Sequence, residues 1–93
     1  MDNDINDILT DYINNNDYEQ AFVTIDAIIS TGRDTSAEAY IWRGKLHWHF
    51  GRTRQAINDY TEADIRAPHG EAAQLLNHTM RILRFRNTDM INP

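Results

Sequence analysis

The segment Tyr18-Glu19-Gln20-Ala21-Phe22 returns 35 residues later as Thr53-Arg54-Gln55-Ala56-Ile57. The match continues, with Ile25 falling on Tyr60 and Ile28 on Ala63. A period of this length means one supersecondary unit used twice, and stacked copies bury a core that a single copy cannot. Inside each unit the apolar residues recur three and four apart, the spacing of one helix face. Ile5, Ile8, Leu9, Tyr12 and Ile13 mark a first helix, and Ala21, Phe22, Ile25, Ile28 and Ile29 a second. Ala56, Ile57, Tyr60, Ala63 and Ile65 mark a fourth, after one that spans Ala37 to about Phe50. No stretch alternates apolar and polar residues as a strand would, so the chain reads as all-α.

The punctuation agrees with this division. Asn14-Asn15-Asn16 stops the first helix, because asparagine tolerates the left-handed conformation at a helix end. Asp17 can cap the second, and Ser30-Thr31-Gly32 ends it. Thr35 and Glu38 have capping-box spacing at the start of the third. Gly51 supplies a left-handed residue just past its end, and Pro68 closes the fourth. A fifth helix is expected from Glu71 to Arg86, followed by a tail over 87–93 that contains Met90 and Ile91.

Residues 37–70 place Tyr40, Gly44, Gly51, Ala56, Tyr60, Ala63 and Pro68 at the spacing of a tetratricopeptide repeat. In that pattern Arg43 stands where leucine is usual and His47 where tyrosine is usual. The chain thus resembles the tetratricopeptide-repeat family, whose period is about 34 residues. The resemblance implies a single domain over 1–93, an α–α superhelix of antiparallel helix pairs. It would hold a degenerate repeat at 2–35, a well-matched repeat at 37–70 and a C-terminal capping helix at 71–86. First helices of such repeats line a concave groove. Gly44 costs about 1 kcal/mol of helix propensity relative to alanine. That cost makes sense where two helix backbones approach closely.

At about 100° per residue, the third helix has four faces. Ala39, Arg43, Leu46 and Phe50 are expected to pack on the preceding repeat. Tyr40, Gly44 and His47 should face the helix's own partner, and Ile41 and Trp48 the capping helix. Glu38, Trp42, Lys45 and His49 remain for the groove. Their first-helix counterparts are Asn3, Asp7, Thr10 and Asn14. Trp42 reads either as a binding anchor or as ordinary packing. Asp7, Thr10, Glu38, Trp42, Lys45 and His49 form the candidate partner-binding set. Lys45 is its one fixed cation, so the second base of a carboxylate clamp is missing. Arg43, on a face due for burial, needs an acid, and Asp26 is one option.

The capping helix has an apolar surplus. Ala72, Ala73, Leu75, Leu76, Met80, Ile82 and Leu83 span about half its circumference, wider than one packing contact needs. Leu75 and Ile82 must be covered by the tail, a second copy or a partner helix. Charge is also uneven: residues 1–40 carry nine acids and one base, residues 41–93 five acids and eight bases. This is either a solvated surface or an acidic end meeting a basic one, within the molecule or between copies.

The net charge of −5 argues against nucleic-acid binding. The apolar runs are too short for a membrane span and the start has no secretory signal. With no cysteine, a cytoplasmic setting is expected. His47, His49, His69 and His78 lack helical zinc-ligand spacing, so no metal or cofactor is expected. The glycines form no phosphate loop, and no nucleophile, base and acid stand together. The sequence therefore reads as a non-catalytic module that binds a peptide or helix of an unidentified protein. The alternative is a scaffold that self-associates, a homodimer included, through the capping helix.

Overall fold

The computed structural model describes residues 5–91, with side chains through Phe85. Five helices follow one another: α1 (Ile5–Asn14), α2 (Tyr18–Ser30), α3 (Ala37–His49), α4 (Thr53–Arg66) and α5 (Glu71–Ile91). Among the described residues there is no strand, and no helix is long and apolar enough to cross a membrane. Asn3 lies outside the described residues.

The turns show why the helices end where they do. Asn16, Gly32 and Gly51 adopt φ of 60°, 75° and 78°, the left-handed region. At each the chain closes the same pair of backbone hydrogen bonds. After α1, the Asp17 N–H donates to Tyr12 O at 2.8 Å and the Asn16 N–H to Ile13 O at 2.9 Å. Arg33 to Ile28 with Gly32 to Ile29, and Arg52 to His47 with Gly51 to Trp48, repeat this after α2 and α3. Orphan carbonyls of the last turn are satisfied in this way. His69, at φ 65°, takes a left-handed conformation that the sequence did not signal; its N–H donates to Asp64 Oδ1.

Three local expectations need correction. The cap of α3 is Ser36, whose hydroxyl accepts from the Ala39 N–H at 3.3 Å. Asp34 Oδ1 accepts in turn from the Ser36 N–H, so the cap lies one residue past Thr35. Thr35 has a different task, its carbonyl accepting from Arg66 Nε at 2.7 Å. Asp17 occupies the N-cap of α2 but makes no side-chain capping bond, because its ψ of 60° is not the extended conformation that aims a carboxylate at the first turn. Finally, α5 runs on to Ile91, so residues 87–91 prolong the helix rather than turn back over it. The side chains of Met90 and Ile91 lie outside the described ones.

Packing is sequential: α1 on α2, α2 on α3, α3 on α4 and α4 on α5. The α2–α3 seam joins Tyr18 to His49, Phe22 to His47 and Asp26 to Arg43, an antiparallel register. The α3–α4 seam joins Tyr40 to Arg66 and Gly44 to Tyr60, also antiparallel. One core cluster holds Leu9, Ala21, Ile25, Ala39 and Leu46, from α1, α2 and α3. A second holds Ile41, Ala63 and Ala72, from α3, α4 and α5. The helix α3 therefore lies in both cores, with Ala39 and Leu46 toward the first pair and Ile41 toward α5, as its faces required.

Gly44 shows what the close approach demands. A Cβ placed there would lie 2.5 Å from Cε1 of Tyr60, a ring that is 2% exposed. Ala56 and Ala63 are fully buried on the facing helix. The Tyr60 hydroxyl is pushed up to about 12, first by burial and then by the carboxylates of Glu71 and Asp59.

Candidate functional site

The residues singled out on α3 do not stay together. Trp42 is half-buried against the first core, and its indole Nε1 donates to Asn6 Oδ1 of α1 at 2.6 Å. Its body is packing, as one reading required, while its polar edge reaches the surface. Lys45 extends the other way, with Nζ 3.0 Å from Glu71 Oε2 at the start of α5 and 6.0 Å from the Trp42 ring centroid. Asn6, Trp42, Lys45 and Glu71 thus cross α1, α3 and α5 on one face. Asp7, Thr10 and Glu38 are exposed.

His49 is held elsewhere. Its ring stacks on Tyr18 of α2, centroids 3.8 Å apart and planes 11° from parallel. Phe50 meets His49 and Phe22 edge-on, and the Arg52 guanidinium lies over Phe22 and Phe50 at 5.1 and 4.8 Å. The contact is local in cause: Tyr18 opens α2 and His49 closes the antiparallel α3, so their rings meet at the same end of the seam.

Leu75 also has an internal role. It packs against the second core, so it is not surplus. Among the described side chains of α5, the exposed large apolar ones are Met80 and Phe85, with Ile82 half-buried beside Phe85. Thr79, which sequence reading left off the packing face, is buried instead of Met80.

Arg43 does find Asp26, with Nη1 to Oδ1 at 3.0 Å. Its stronger partner is Asp59 of α4, which was not foreseen. Nε and Nη2 each donate to one Asp59 oxygen at 2.9 Å, a bidentate fork. The Asp59 side chain is 7% exposed and that of Asp26 48%. The hydrogen bond from Asp59 raises the Arg43 pKa against the opposing effect of burial. His47 stands beside them, Nε2 3.6 Å from Asp59 Oδ2. Burial pushes the His47 imidazole below its ordinary value; Asp59 opposes this, and Arg43 and Arg52 add to it. The His47 Nδ1 is buried with no hydrogen-bond partner among the described residues. The signal that could have found Asp59 is its spacing: it immediately precedes Tyr60, the residue that faces Gly44.

Among the described residues no cluster of three or more histidine or acidic side chains could hold a metal ion. No protein family, curated protein or solved structure matches the chain significantly.

Proposed function

We propose that the chain is a small tetratricopeptide-repeat-like module that holds a peptide or helix of another protein, without catalysis, along the α1–α3–α5 face. The observation that carries this reading is the row Asn6, Trp42, Lys45 and Glu71, drawn from three alternate helices. A shallow concave stacking of those helices belongs to the reading, as does a cytoplasmic setting. Trp42 offers a large apolar edge that loses little entropy on binding. Lys45 and Glu71 are 46% and 57% exposed. Such a pair contributes about 1 kcal/mol or less, so a ligand carboxylate can displace Glu71 from Lys45 at small cost. The internal Trp42–Asn6 bond can likewise be exchanged for a ligand carbonyl.

The test compares partner capture by the natural chain with capture by Trp42→Ala and Lys45→Glu. The expected result is a loss of about tenfold or more for Trp42→Ala, as for an interface anchor. Unchanged capture by both variants, with helicity intact by circular dichroism, would remove this face as the binding surface.

A further inference from the structure

The end of α5 presents apolar surface that the bundle does not cover. Met80 and Phe85 are 47% and 84% exposed. Among the described residues, His78, Arg81, Ile82 and Phe85, all of α5, line an open hollow of about 520 Å³. The helix has 21 residues against 14 in the α4 it packs on, so its last turns reach past the bundle. No acid occurs between Glu71 and Asp89, and His78, Arg81 and Arg84 are all exposed there.

The opposite end carries the complement. Asp7 and Asp11 of α1 are exposed and flank Ile8, which is 42% exposed. No lysine, arginine or histidine occurs before Arg33. Sequential packing sets α1 and α5 at opposite ends of the row of helices. The described charged faces of α1 and α5 are therefore separated by the helices between them.

We propose that this chain self-associates head to tail, the cationic-apolar end of α5 docking on the acidic α1 end of a second copy. The choice of occupant rests on charge: α5 set against α5 would oppose Arg81 to the like-charged end of the second helix, whereas α1 meets it with the exposed Asp11. The two faces are distinct patches, so the contact is heterologous and does not close on itself. It shares α1 with the α1–α3–α5 face but uses neither Trp42 nor Lys45, so loss of partner capture at Trp42 leaves it standing.

Sedimentation equilibrium over about 10–300 µM protein tests it. The weight-average mass rises above the 10.8 kDa monomer without a plateau. It falls back as salt is raised from about 50 to about 500 mM, which shortens the Debye length several-fold. Arg81→Glu and Asp11→Lys, both on exposed side chains, each weaken association about tenfold. Combining them in one chain restores it, and so does mixing the two single variants, because every contact then joins opposite charges. A natural chain that stays monomeric at low salt and the highest concentration overturns the proposal. Association that ignores Asp11→Lys overturns it too, since a contact of α5 with α5 does not involve α1. Thermal melts by circular dichroism keep misfolding apart from lost association.

Discussion

The α1–α2 pair and the α3–α4 pair are both two helices joined by a short turn, but they are held together by different physics. Leu9, Ala21 and Ile25 are fully buried between α1, α2 and α3, and among the described residues no buried charged side chain belongs to α1 or α2. The α3–α4 seam brings a glycine against a tyrosine ring and sets Arg43 and Asp59 face to face beside a buried histidine. Aliphatic contacts tolerate a change of shape by repacking, within limits set by cavity formation. A buried ion pair tolerates none of its members being removed, because the survivor stays desolvated. The second pair should therefore be the more brittle.

Asp59→Ala is the strongest way to break this contrast. It leaves Arg43 with the half-exposed Asp26 as its carboxylate partner and should cost about 4 kcal/mol by urea denaturation. A cost near that of an exposed pair would show that the seam does not depend on the fork. Leu9→Ala follows, with an expected loss of about 3 kcal/mol from transfer and cavity terms. Gly44→Ala should lose about 2 kcal/mol, because the methyl collision with Tyr60 outweighs the helix propensity gained. A stabilised Gly44→Ala chain would mean that Tyr60 can move aside. Asp26→Ala should cost only about 1 kcal/mol, since its side chain is half exposed and screened. The comparison of Asp26→Ala with Asp59→Ala isolates burial as the variable.

A last effect works through one proton. The folded chain holds His47 below its ordinary value, so the unfolded chain binds the proton more readily. Stability is then full above the unfolded value of about 6.5 and falls as pH drops below it toward the lowered folded value. Urea midpoints at pH 7.5 and 5.5 should differ more for the natural chain than for His47→Phe. Equal differences would assign the pH dependence to other groups.

Much of the scaffold was legible because its signals are local. Helix periodicity, the glycine and asparagine stops and the division of α3 into faces all follow from spacing along one element. The Arg43–Asp26 pair was legible because a charge on a buried face must find an acid. Other features depended on neighbours distant in sequence. Asp59 became the main partner of Arg43 because the Gly44–Tyr60 approach brings it level with the guanidinium. His49 left the candidate site because Tyr18 stands at the same end of the α2–α3 seam. Leu75 turned inward because α5 settles on Ile41 and Ala63, and that same rotation buries Thr79 and leaves Met80 out.

By itself the sequence determined that this chain is all helical, where three of its helices stop, and that one end is acidic and the other basic. Those properties belong to single residues or to intervals of three, four and 35 along the chain, so no partner is needed to set them. Only the tertiary structure decided which polar groups share a buried space and which apolar groups on α5 remain uncovered. Both depend on the rotation and offset of one helix against the next, fixed by the sum of many small packing contacts and not by any one residue.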